Sequence, residues 1–96
     1  MSEIQGIGSV EIAADILEVV SKHDGPVRAI DIAKVMGFSK SRLHKYLVSL
    51  CRTGLLQQGS ETGLYSPGYA LVNLSRAAER QNQLLIQVNQ ARCRFI

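Results

Sequence analysis

The sequence predicts a mainly α-helical fold that carries one small β-hairpin. Three observations predict it. Apolar residues recur at helical spacing in three stretches between Val10 and Arg52, each ended by a glycine turn. Two short runs, Leu55–Gln58 and Leu64–Ser66, flank a turn with glycine at both ends, which is a hairpin pattern. The segment after Pro67-Gly68 keeps a helical seam to its end. At 96 residues, 46% hydrophobic and 20% charged, the chain has apolar material for one modest core and not for two. No apolar run reaches the roughly 18–20 residues of a membrane span. The amino terminus lacks the basic-then-apolar order of a signal peptide, so a cytoplasmic chain is expected. Cys51 and Cys93 have neither metal-site nor disulfide-framework spacing and read as reduced thiols.

Each element has a local cause. Residues 1–8 form a loose lead-in with two glycines. Ser9 is the expected N-cap of the first helix, with Ile12 where a full capping box would place Glu. Val10, Ala13, Ala14, Leu17 and Val20 share its expected inner face, and Glu11, Asp15, Glu18 and Lys22 line the other. Asp24-Gly25-Pro26 ends it, because proline cannot continue a helix, and Val27-Arg28 read as extended. The second helix spans Ala29 to Met36, with Ala29, Ile32, Ala33 and Met36 inward. Gly37 stops it, and Phe38 plugs the turn. Ser39 caps a third helix that runs to Arg52 and closes at Thr53-Gly54. Leu43, Tyr46, Leu47 and Leu50 take one side of it, while Ser41, Lys45, Val48 and Arg52 take the other, flanked by Arg42, His44 and Ser49. The hairpin follows, then a long helix from Tyr69. Its seam is Leu74, Ala78, Gln81, Leu85, Val88 and Phe95, at steps of three, four and seven. The organisation is a lead-in (1–8), a folded unit (9–68) and a terminal helix (69–96).

Charge is unevenly spread along these elements. The net charge is +3, but residues 1–24 carry −4 and residues 25–52 carry +5. Residues 53–75 carry −1 and the tail +3. A basic face beside an acidic one is the footprint of a protein that meets a polyanion with one side. Three helices followed by a hairpin make a winged helix-turn-helix. The outer face of its third helix holds Lys40, Arg42, Lys45 and Arg52 and no acid. A helix of ~10–12 Å diameter fits the major groove of B-form DNA, where base edges are distinguishable. Lysine and arginine reach phosphates or guanine edges, and Ser41, His44 and Ser49 can donate or accept at bases or phosphates. Lys40, at the helix start, reads as a phosphate contact, while Arg42 and Lys45 are the strongest contacts. Arg52 also suits the negative end of its own helix.

Residues Gly8 to Leu74 resemble the N-terminal DNA-binding domain of the IclR family of bacterial transcriptional regulators. The resemblance rests on Ser9-Val10-Glu11, Ala13, Asp15-Ile16-Leu17-Glu18, Ile32-Ala33 and Gly37-Phe38. It continues through Lys40-Ser41, His44, Leu47, Ser49-Leu50, Gly54-Leu55, Thr62-Gly63, Tyr65 and Gly68. It implies a recognition helix at Ser39–Arg52, a wing at Leu55–Ser66, and a homodimer, or a dimer of dimers, that binds double-stranded DNA and controls transcription as a repressor or activator. It also implies a nucleoid-associated protein whose small-molecule effector would need a further C-terminal domain. The candidate DNA-binding residues are Arg28, Ser39, Lys40, Ser41, Arg42, His44, Lys45, Ser49 and Thr62. The candidate dimerisation residues are Ile12, Leu74, Ala78, Leu85, Val88 and Phe95. Against the family pattern, Arg28 stands where Ser or Thr commonly caps the second helix, and Arg42 where a small Thr is common. Ile12 replaces a usual basic residue, and its expected exposure suits a dimer contact. Leu64 replaces another, and Gln57, Gln58 and Glu61 add no positive charge, so the wing is expected to add little electrostatic affinity.

Two other functions compete with DNA binding. A winged helix can serve as a protein-interaction or dimerisation module, but such a module would expose apolar or mixed-sign residues where this chain is basic. An enzyme would need a nucleophile–base pair, a phosphate loop or paired carboxylates in a pocket, and none of these is present in the sequence. No metal or cofactor is expected.

Overall fold

The first helix already departs from its expected start. In the computed structural model, which describes residues 5–82, α1 spans Gly8–Ser21. Ile7 occupies the cap position, and its carbonyl accepts from the amides of Val10 and Glu11 at 3.1 and 3.2 Å. Ser9 therefore lies inside the first turn, and no side chain caps α1. The inner face also differs. Ile16 is completely buried and Val20 nearly so, with Ile12, Ala13 and Leu17 packed at the core edge. Val10, expected inside, is 65% exposed, and Ala14 is exposed as well. α1 is apolar over most of its circumference, so its acids bound the buried stripe without centring it. The stripe that wins places Ile12, Ile16 and Val20 in line at four-residue spacing.

α2 (Ala29–Met36) and α3 (Lys40–Arg52) have the expected bounds. Gly37 ends α2 at φ +73°, where a side chain would be strained. The amides of Gly37 and Phe38 both return to the Ala33 carbonyl, at 2.8 and 3.0 Å. Ser39 caps α3, its hydroxyl accepting from the Arg42 amide at 3.2 Å. α3 closes with a paired return. Gly54 donates to the Cys51 carbonyl at 3.1 Å, and Leu55 donates to the Leu50 carbonyl at 3.0 Å. Gly54 sits at φ +81° to allow it.

The hairpin comprises β1 (Leu56–Gln58) and β2 (Tyr65–Pro67), paired antiparallel with Gln57 opposite Ser66. Its far edge carries the expected extended piece. Val27 and Tyr65 exchange both backbone hydrogen bonds at 2.8 Å, which stitches the start of α2 to the wing. The core lies beneath α3. Leu43, Leu47 and Leu50 are buried against Ile16, Val20, Ile32 and Ala33 from the first two helices and against Val27, Leu56 and Tyr65 from the sheet side. Each large aliphatic chain removed from water in this cluster contributes ~1.5–3 kcal/mol.

α4 (Tyr69–Gln81) leaves the wing by a fixed route. Gly68 donates to the Leu55 carbonyl and Ala70 to the Gly54 carbonyl, both at 2.9 Å. A side chain at Gly68 would run into the Gly54 carbonyl, so the two backbones touch. No residue of α4 is fully buried, and Tyr69, Val72 and Leu74 stand exposed. The expected seam residues Leu85, Val88 and Phe95, and with them the remainder of the helix expected over 69–96, lie outside the described residues.

The revised face of α1 is directly measurable. Ile16→Ala removes a fully buried side chain and is expected to cost ~2–5 kcal/mol. Val10→Ala should stay within ~0.5 kcal/mol. Urea or thermal unfolding of the two variants checks the order, and equal losses would restore the face read from the sequence.

Candidate nucleic-acid interface

The candidate face of α3 is built by subtraction. Burial of Leu43, Leu47 and Leu50 fixes which side of α3 is left over. On that side Lys40, Ser41, Arg42, His44, Lys45, Ser49 and Arg52 are all exposed. Ser41 and Lys45 lie on the outward ridge, and the other residues fall on two flanks. Lys40, Ser41 and His44 border a shallow groove of about 440 Å³ towards the wing, floored by Ala29, Leu43, Leu47 and Tyr65. Lys45 and Ser49 border a second depression towards α1, shared with Val10, Ala13 and Tyr46.

Arg42 is held differently from the lysines. Its guanidinium carbon lies 4.0 Å from the ring centroid of Phe38. Phe38 in turn meets Tyr46, ring centroids 6.0 Å apart and tilted by 36°. Phe38 and Tyr46 also pack against the core, as expected of them, and only the contact with Arg42 goes beyond what residue type predicts. The four-residue spacing of Phe38, Arg42 and Tyr46 was the available signal.

Arg28 is engaged locally. Its Nε and Nη2 donate to the two carboxylate oxygens of Asp31 at 3.0 and 3.2 Å. The hydrogen bond from Arg28 holds the Asp31 carboxyl below the usual carboxylate range. The pair's stabilisation is therefore complete above that range and is lost only as pH falls through the lowered value. Arg28 stands at the cap position of α2, with its guanidinium already paired to a carboxylate.

Ser39 uses its hydroxyl on the Arg42 amide and lies 3.5 Å from the Ser41 hydroxyl. Thr62 sits at the wing tip, its hydroxyl accepting from the Leu64 amide at 3.2 Å. The wing tip exposes Gln57, Gln58 and Glu61 and no cation. Ile12, expected at the surface, is half-buried against the core, whereas Leu74 and Ala78 are exposed on α4. Burial pushes the Cys51 thiol up, which keeps it in its neutral form. Among the described residues no three His, Cys, Asp or Glu side chains form a metal-binding group, and no helix is long and apolar enough to cross a membrane.

Residues 9–60, the span that holds α1, the turn, α3 and β1, match the IclR helix-turn-helix domain. The chain belongs to the IclR family. Among curated proteins it is 41% identical over 66 residues to the HTH-type transcriptional regulator XynR of Escherichia coli, covering 69% of this chain and 26% of that one. Among solved structures it superposes on an IclR transcriptional regulator from Alicyclobacillus acidocaldarius with a TM-score of 0.71 at 28% identity, covering 78% of this chain and 31% of the other. The Thermotoga maritima IclR shares the fold, with a TM-score of 0.70 at 24% identity over 90% of this chain and 34% of its own. The chain thus spans about a quarter to a third of the length of these relatives. The matched unit is an IclR-type DNA-binding domain of a family of transcriptional regulators, and its relatives are regulators and not enzymes.

The Arg28–Asp31 pair yields a test of available charge. Asp31→Asn removes the carboxylate and frees Arg28. DNA affinity at low salt is expected to rise, and the slope of log K against log salt to steepen by ~1. Salt titration by fluorescence anisotropy reads both, and an unchanged slope would place Arg28 away from the DNA backbone.

Proposed function

We propose that this IclR-type domain binds a palindromic or near-palindromic promoter operator as a dimer and controls transcription there by steric exclusion or recruitment. The observation that carries the reading is the acid-free cationic face of α3, exposed above a buried leucine stripe. α3 enters the major groove with its first turn towards base edges. Arg42 and Lys45 make the main contacts. Lys40 meets phosphate, and Ser39, Ser41, His44 and Ser49 add hydrogen bonds along the groove. Arg28 and Thr62 border the DNA backbone from α2 and the wing. The unit that reads DNA is residues 9–68, and residues 69–96 serve as the linker and dimerisation segment.

Dimerisation is supported by apolar residues left in water. Leu74, 58% exposed, and Ala78 share one exposed face of α4, and Tyr69 and Val72 are exposed on another. Two α3 helices related by a two-fold axis would read half-sites about 34 Å apart, or a multiple of it. Phosphate neutralisation supplies most of the affinity, so binding falls steeply with salt. The nucleoid-associated cytoplasm is the location this activity requires.

The decisive experiment selects bound sites from random duplex DNA and then measures affinity by gel shift at low salt. Two-fold symmetric sites are expected, and absence of binding overturns the proposal. Within that assay Arg42→Ala should change base preference, with ~1–3 kcal/mol of discrimination lost at one position per half-site. Lys40→Ala should weaken all sequences alike and flatten the salt slope by ~1. Equal, sequence-independent losses for both variants would contradict the division of labour.

A further inference from the structure

We infer that Phe38 is a positioning residue: its ring holds the Arg42 guanidinium in a fixed plane, ready for the edge of a guanine. The inference rests on the proposed reading of α3 as the base-contacting helix. It adds a specificity determinant that makes no contact with the base itself.

The geometry assembles this from three sides. Phe38 belongs to the turn, not to α3, and its amide is anchored on the Ala33 carbonyl at 3.0 Å. Arg42 is the third residue of α3, and its own amide is tied to the Ser39 hydroxyl at 3.2 Å. Backbone and side chain of Arg42 are thus fixed at two separate points, the cap and the ring. The ring also meets Tyr46, and both aromatics are half-buried against the core, so the platform is continuous with the folded interior.

A cation over an aromatic face is attracted by the ring quadrupole. Stacking covers one face of the guanidinium and leaves its in-plane N–H groups free. Those N–H groups are the ones that bridge O6 and N7 of guanine, and the bridge requires a planar fork held in register. A phosphate contact requires no such plane. Neither of the two ion pairs among the described residues involves Arg42, so no carboxylate competes for the fork. Arg28 shows the contrast: its fork is already occupied by Asp31.

The test uses the full chain as wild type, Phe38→Leu, Phe38→Tyr, Arg42→Ala and the Phe38→Leu/Arg42→Ala double variant. Sites are selected from random duplex DNA. Affinities are then measured for the selected site, for copies with each guanine replaced, and for unrelated duplex. In the wild type one guanine per half-site should matter about tenfold, and Arg42→Ala should abolish that dependence. Phe38→Leu should lose most of the same tenfold, with unrelated-duplex affinity and salt slope unchanged. Phe38→Tyr should restore it. Added to Arg42→Ala, Phe38→Leu should have no further effect on discrimination. In the free protein the Arg42 side-chain protons should be shifted upfield by the ring in the wild type and in Phe38→Tyr. This measurement stands even where Phe38→Leu folds poorly.

Wild-type discrimination in folded Phe38→Leu overturns the inference, as does a uniform loss across sequences or failure of tyrosine to rescue. Absence of the upfield shift in the wild type overturns it independently. A wild type that binds specific sites with no guanine dependence on Arg42 overturns this inference and leaves the proposed function intact. A wild type that binds no DNA overturns both.

Discussion

Everything on the cationic side of α3 depends on how that helix is gripped from behind. Leu43, Leu47 and Leu50 are almost completely buried, and they belong to one helix that has no apolar residue to spare on its opposite ridge beyond Val48. α1 and α2 contribute Ile16, Val20, Ile32 and Ala33 to that grip, and the sheet side contributes Val27, Leu56 and Tyr65. Rotating α3 by one residue step would bury Lys40 or His44 and expose a leucine. Burying an unpaired charge costs far more than any single apolar contact gains. The cationic face is therefore a consequence of the core, with its direction set by burial and not by local propensity.

A second constraint fixes what α3 is attached to. The Gly54 carbonyl accepts from Ala70, the first turn of α4, while Gly54 itself ends α3 at positive φ. Gly68 lies so close to that carbonyl that no side chain fits between them. One peptide thus joins the end of the recognition helix, the entry to the wing and the start of α4. Any tilt of α4 pulls on a backbone hydrogen bond at the end of α3. The wing needs this attachment, because a hairpin of two three-residue strands has little stability of its own. The Val27–Tyr65 bridge secures its other edge.

Legibility in the sequence followed the range of the interaction that decides each feature. α2 and α3 were readable because their ends are set locally, by Gly37, Ser39 and Gly54, and their faces are divided cleanly between aliphatic and charged residues. The hairpin was readable from its turn glycines, to within a residue at each strand. α1 was not, because apolar side chains cover most of its circumference and only packing against α2, the wing and the shared core selects Ile16 over Val10. Ser9 was a plausible cap by residue type, yet the helix extends back to Gly8 and uses the Ile7 carbonyl instead. The cationic residues of the site were identified by type and spacing, but their partners were not. Arg28 and Arg42 look alike in a sequence, whereas one is paired with a carboxylate and the guanidinium of the other lies over an aromatic ring.

That difference bears on how a domain with so modest a net charge can act on DNA. The wing tip offers no cation, and residues 25–52 carry +5, so electrostatic attraction is concentrated around α3. With few phosphates neutralised per copy, a single domain would bind weakly, and its affinity would fall with salt on a shallow slope. Two routes remain open to it. Pairing two copies converts the second contact into an intramolecular one, which raises affinity without new charge. Fixing a reading residue in advance, as the Phe38 ring fixes Arg42, lowers the ordering cost of the contact and directs it to base edges. Both routes favour discrimination over bulk attraction, which suits a domain whose net positive charge before the tail is confined to residues 25–52.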